Sequence, residues 1–197
     1  MRNQEDIATY TNGRNMLVAT DHLVISGKYG SVHAEKESFG ENRTVYSRIR
    51  FTLLEFQSKA NCKFNLTVDD CRWIMHMLES NVYEWAFHRE KIIGSEVSKL
   101  VIARQPKDQN GRDRNLPWYI EISNGTGNPI KRGALTICQT GSYVQKQKLY
   151  LNLSEEDFYK FMKRIVCFIE IFEVGYAPYI VNQKIAYEQN IKEKNQK

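Results

Sequence analysis

Phe64-Asn65-Leu66-Thr67-Val68-Asp69-Asp70 returns, 87 residues later, as Leu151-Asn152-Leu153-Ser154-Glu155-Glu156-Asp157. In each copy two apolar residues alternate with polar neighbours, the period of a strand with one buried face. Thr67 and Ser154 then stop the strand. Each is followed three residues later by an acid, Asp70 or Asp157, able to reach back to the cap's amide in a capping box. The correspondence continues beyond the heptapeptide. Cys71, Ile74, Met75, Leu78, Val82 and Trp85 fall on Phe158, Phe161, Met162, Ile165, Ile169 and Phe172, and each set makes an apolar stripe at helical spacing. The spacing predicts helices over about residues 68–90 and 155–173. A period this long is outside the range of solenoid repeats, so one strand-into-helix unit has been used twice.

Upstream of each helix the pattern is β-like. Met16 to Ile25, Gly30 to Glu37, Val45 to Phe56 and Asn61 to Leu66 precede the first. Lys99 to Arg104, Trp118 to Ile122, Ala134 to Gln139 and Lys146 to Leu153 precede the second, with turns at Asn110-Gly111, Asn124-Gly125 and Gly127-Asn128-Pro129. The expected architecture is α+β: two tandem β-β-β-β-α repeats at 14–93 and 94–175, then a polar tail at 176–197. Each antiparallel sheet would carry a helix on one face and leave the other open. Gly94 to Lys99 leaves little room for a linker, so the repeats are expected to share one core. Val174-Gly175-Tyr176-Ala177-Pro178 is expected to end the second helix.

Of the 197 residues, 42% are hydrophobic, enough for a core. No run of about 18 apolar residues suggests a membrane span, and the N-terminus lacks a signal-peptide core, so a cytoplasmic protein without membrane contact is expected. Cys62, Cys71, Cys138 and Cys167 form no C-x-x-C pair and read as reduced thiols. His22, His33, His76 and His88 have no metal-ligand spacing, and no phosphate loop, nucleophile elbow or zinc-protease motif occurs. No metal, cofactor or catalytic activity is therefore expected.

Net charge is +5, but its distribution is more informative. Residues 42–66 carry Arg43, Arg48, Arg50, Lys59 and Lys63 against the single acid Glu55. Residues 125–153 carry Lys131, Arg132, Lys146 and Lys148 with no acid, while acids crowd the helix starts, where they suit the dipole. Strand parity sets Ile49, Phe51 and Leu53 against Tyr46, Arg48, Arg50 and Thr52. It likewise sets Leu149, Leu151 and Leu153 against Lys146, Lys148, Tyr150 and Asn152. Lys63 and Asn65 are the counterparts of Tyr150 and Asn152. Tyr119 is the exposed neighbour of an apolar Trp118, Ile120, Ile122 series. Cations that follow phosphates, beside rings that stack on unpaired bases, suit single-stranded nucleic acid.

A strand ending in Leu-Asn-Leu, a Ser/Thr-Glu/Asp helix start and an aromatic in the first helical turns, after a basic four-stranded segment, resembles the positive-cofactor-four and Whirly group of single-stranded-DNA-binding proteins. The duplicated, Whirly-like form would cover about residues 14–173. The resemblance implies a β-β-β-β-α unit duplicated in one chain, with DNA running over the strands. The Whirly lysine-glycine-lysine-alanine motif has no copy here. Gly27-Lys28-Tyr29-Gly30 lies where a basic β-turn is expected.

The expected function is non-catalytic, largely sequence-independent binding of single-stranded DNA in replication, recombination or mobile-element metabolism. Lys28, Tyr46, Arg48, Arg50, Lys63, Tyr119, Lys131, Arg132, Lys146, Lys148 and Tyr150 are the expected contacts. Alternatives are an RNA-binding or transcription-regulating protein on the same scaffold, and an interaction module whose open sheets bind protein. Expected partners are single-stranded DNA or RNA, replication or recombination proteins, and further copies of the chain through sheet edges.

Overall fold

The structure, a computed structural model, describes residues 6–24, 34–37, 43–133 and 135–195. The first sheet is antiparallel in the order β1-β2-β5-β6, from β1 (Asp6–Thr11), β2 (Asn15–His22), β5 (Arg48–Glu55) and β6 (Asn61–Leu66). Between β2 and β5 stands a separate hairpin of β3 (Ala34–Glu37) and β4 (Arg43–Tyr46). Helix α1 (Val68–Glu79) follows. The second sheet runs β12-β9-β8-β7, from β7 (Trp85–Ile93), β8 (Glu96–Arg104), β9 (Trp118–Thr126) and β12 (Val144–Leu153). Its own hairpin, β10 (Pro129–Arg132) with β11 (Leu135–Cys138), lies between β9 and β12, and α2 (Glu155–Asn195) closes the fold. The α+β class and the two antiparallel four-stranded sheets are as the sequence predicts.

Both helices are capped where expected, the first by the full capping box and the second with Asp157 on the Ser154 hydroxyl in place of its amide. Thr67 Oγ1 accepts from the Asp70 amide at 2.9 Å, and Asp70 Oδ2 accepts from the Thr67 amide at 3.1 Å. Ser154 Oγ accepts from the Asp157 amide at 3.1 Å and donates to Asp157 Oδ2 at 2.7 Å. Each arrangement satisfies amides that the first helical turn leaves orphaned.

The ends of both helices differ from expectation. α1 stops at Glu79, where Ser80 caps it and Asn81 adopts a left-handed φ of +48°. Trp85 therefore belongs to β7, not to the helix stripe. α2 runs through Gly175 and Pro178 to Asn195. Pro178 removes one helical amide, but a helix nucleated in a packed core gains a bond for each further residue and propagates across the loss. The tail expected from 176 is thus helical to Asn195, and joining the two parts gives α2 an 18-residue window of mean hydropathy 1.4. That helix is long and apolar enough to cross a membrane by length and composition, contrary to the expectation, although Ile165, Val166 and Ile169 are buried in the core.

The outermost strand of each sheet also departs from the prediction. The described strand parts of the segments at 30–37 and 134–139, Ala34–Glu37 and Leu135–Cys138, belong to the two hairpins; the sheets are completed by β1 and β7. The first sheet thus starts at Asp6, not 14, and the second at Trp85, not 94. In β7 apolar residues occur only at its ends, so its alternation is weak, and the stripe leading into Trp85 mimics a continuing helix.

Inner faces of both sheets and both helices contribute to a single core. Phe51 in the first sheet meets Phe161 of α2 edge-on at 5.5 Å, and Trp118 in the second lies 4.7 Å from Phe158. The two sheets are also tied through amides at equivalent places. Asn124 Oδ1 accepts from the Lys63 amide (2.8 Å) while its Nδ2 donates to the Lys63 carbonyl (3.0 Å). Asn15 Nδ2 donates to the carbonyl of Tyr150, the residue that matches Lys63 in the repeat, at 2.8 Å. With its amide oriented to match donors and acceptors, Gln147 pairs with both backbone groups of Asn61 at 3.0 and 3.2 Å. These side chains occupy backbone groups that the edge strands β6 and β12 would otherwise leave open.

Candidate nucleic-acid interface

Strand parity is realised on the first sheet. Ile49, Phe51, Leu53, Cys62, Phe64 and Leu66 are buried, leaving Arg48, Arg50, Lys63 and Asn65 on the opposite side. Arg50 Nε donates to Asn65 Oδ1 at 3.0 Å. Arg48 lies 5.4 Å over the half-exposed Tyr46 ring and donates to the Ser47 carbonyl. A groove of about 240 Å³ is lined by Arg50, Lys63, Asn65, Lys91, Glu96 and Ser98. A second, of about 360 Å³, shares Lys63, Glu96 and Ser98 and carries on past Asn124 and Gly125 to Lys146 and Gln147. A trough with cations along it therefore crosses from one sheet to the other.

Lys91 is the residue that sequence reading missed. It lies on β7, just beyond the helix predicted over about 68–90, and its ammonium donates to the Asn65 carbonyl and lies 5.2 Å from the Phe64 ring centroid. Burial, then the nearby Arg48, push its pKa down to about 8. The His22 imidazole is also held below its usual range, first by burial and then by Arg50. In both groups burial is the larger cause and the neighbouring guanidinium adds to it. The available signal was Ser80-Asn81, a helix-stop pair that would have freed the following residues to be read as a strand.

Charge on the second sheet is more balanced than the segregated pattern expected. Lys148 pairs with Glu121 at 2.6 Å, and Lys99 with Glu90 at 2.8 Å. Acids on β7 and β9 come beside these cations only through cross-strand register: Glu90 faces Lys99 directly, while Glu121 faces Tyr150 and so lies diagonal to Lys148. Tyr119 and Tyr150 are neighbours with centroids 5.7 Å apart and planes inclined by 33°. Tyr150 is 53% exposed, while Tyr119 is half-buried and donates to Glu121. Burial and that carboxylate hold the Tyr119 phenol above its ordinary range. The pair offers one available ring, supported by a fixed one.

Other expected contacts lie apart. Lys146 is exposed beside the trough, but Lys131 and Arg132 are on the β10–β11 hairpin and not on a sheet. Lys28 lies outside the described residues. In the connection after β8, Lys107 is held by Asp113 at 2.6 Å. Arg104 is committed to Glu155 and to the Val82 and Tyr83 carbonyls.

Lys91 predicts a pH dependence. An anion in the trough raises its pKa above the value of about 8 in the free protein, so binding takes up a proton. The Lys91 contribution is complete below pH 8 and falls as pH rises through the raised, bound-state value. Calorimetric titration at pH 8.5 in two buffers of different ionisation enthalpy should report proton uptake, and Lys91→Met should abolish it.

No protein-family model matches the chain, and no curated protein matches it. Among solved structures, that of WHY1 from Arabidopsis thaliana is similar, with a TM-score of 0.51 and 11% identity over 94% of each chain. Likeness at that identity is one of architecture, and it extends over both sheets and their helices: the chain has a Whirly-like fold.

Proposed function

We propose that the protein binds single-stranded DNA non-catalytically and with little regard to sequence. The strand would follow the trough past Arg50, Lys91, Lys63 and Lys146 and reach Tyr150 along β12. The observation that carries this reading is a cationic trough that reaches β12, the strand that also presents the exposed Tyr150 ring, because phosphates need the first and unpaired bases the second. The trough is lined by strands and polar side chains and presents no helix to a duplex groove, which favours an unpaired strand. Such a coat suits replication, recombination or mobile-element transfer, each of which exposes single strands.

Tyr150→Ala should cost about 1–3 kcal/mol of affinity for a dT oligonucleotide while leaving the salt dependence unchanged, since stacking releases no counterions. Tyr150→Phe should restore the affinity. Unchanged affinity in the alanine variant would remove Tyr150 from the path.

A further inference from the structure

The β10–β11 hairpin is not part of either sheet, and its character differs from theirs. Arg132 pairs directly with Leu135, and Gly133 takes a left-handed φ of +62°, so the hairpin reverses tightly. All four residues of β10 are exposed, Leu135 is 68% exposed and Ile130 40%. Register places Ile130, Ile137, Arg132 and Leu135 on one face of the ribbon. Neither Lys131 nor Arg132 pairs with an acid among the described residues, and no acid occurs from 125 to 153.

The base of this arm, by contrast, is fixed. A Cβ at Gly127 would lie 2.4 Å from Cys138 Sγ and 3.0 Å from Val97, so only glycine lets the arm seat so closely. The Gln139 amide donates to the Asn128 carbonyl at 2.8 Å, and the Asn128 amide to Ser142 Oγ at 2.9 Å. Tyr143 then lies over the sheet, its hydroxyl donating to Ser123 Oγ at 3.2 Å and its ring 4.1 Å from the Lys99 ammonium. Val97 and Gly125 at this root also line the trough. An arm with a fixed base thus rises beside the trough, with an apolar, cationic end that is exposed among the described residues.

We propose that this hairpin engages the base-paired flank of a single-strand–duplex junction. Lys131 and Arg132 contact phosphates of the duplex, and Leu135 with Ile130 rests on its terminal base pair, while the trough holds the unpaired tail. Charge complementarity selects nucleic acid over an apolar protein partner, and exposed aliphatic residues beside cations are the chemistry that DNA-bending proteins use against base steps. The proposal rests on the single-strand reading above.

The test compares a dT oligonucleotide of about 30 residues with the same tail joined to a duplex of about 12 base pairs, by fluorescence anisotropy. Wild type should bind the tailed duplex about tenfold more tightly, with a salt slope steeper by about two, one for each added phosphate contact. Leu135→Ser and, separately, Lys131→Gln with Arg132→Gln should each bring the tailed duplex down to the dT level and leave dT binding unchanged. Unaltered dT binding also shows that these variants are folded. Equal wild-type affinity for the two probes overturns the hairpin role and leaves the trough reading intact. Absence of binding to either overturns both. Loss of dT binding in folded variants, or a change of sedimentation coefficient in place of junction affinity, would assign the hairpin to the strand path or to self-association and overturn the proposal.

Discussion

Reversing Arg50 and Lys63 together to glutamate lowers affinity for a dT oligonucleotide by about a hundredfold or more, because each charged hydrogen bond to phosphate contributes about 1.5–3 kcal/mol. Both residues line the narrower groove, and Lys63 also lines the wider one, so this variant removes positive charge where the two meet. Arg50 loses only its bond to Asn65, and both side chains point away from the core, so the thermal midpoint should change little. The salt slope should become shallower as the contacts are lost. Lys148 is the internal contrast: Glu121 already holds it at 2.6 Å, and Lys148→Ala should weaken binding much less. Equilibrium titration of the variants at two salt concentrations checks these outcomes. Wild-type affinity in the double variant would place the strand elsewhere.

Gly125→Ala should destabilise the fold by about 2–3 kcal/mol, at the upper end of what overpacking costs. An added Cβ would stand 2.2 Å from the Val144 carbonyl oxygen and 2.8 Å from the Tyr143 ring. Neither can move cheaply. Val144 pairs across to Thr126 at the end of β12, next to an irregularity in register between Gln145 and Gln147. Tyr143 is held by Ser123 and covers Lys99. Strand β12 must therefore separate from β9, or the loop before it must lift from the sheet face. Chemical denaturation should show a lower midpoint with an unchanged m-value. A midpoint equal to that of wild type would mean that the loop does not pack on β9 in solution.

Local signals in the sequence were the ones that could be read. Thr67 with Asp70, and Ser154 with Asp157, form their caps within three residues, so their pattern is complete in the chain itself. Alternation in β5, β6 and β12 likewise identified the buried faces, and with them Arg50, Lys63 and Tyr150. What could not be read depended on partners distant in sequence. β1 and β7 are outer strands whose membership is decided by pairing with β2 and β8, while the hairpin segments carry equally good strand propensity. Lys148 looked unpaired because register sets Glu121, opposite Tyr150, diagonally beside it. The trough involves residues from β5, β6, β7, β8, β9 and β12, so Lys91 could join Lys63 only once two sheets had packed. Pro178 is the opposite failure, a strong local stop overridden by a helix that the core had already nucleated.

The central claim is that an unpaired strand occupies the inter-sheet trough. It is tested most directly by anisotropy titration of a labelled dT oligonucleotide of about 30 residues, beside the matching duplex and RNA, at about 50 and 200 mM salt. Engagement of Arg50, Lys63, Lys91 and Lys146 predicts tight binding of the single DNA strand over the duplex, with a slope of about −3 in log affinity against log salt. Equal or tighter binding of the duplex, or no binding of the single strand at low salt, would contradict it.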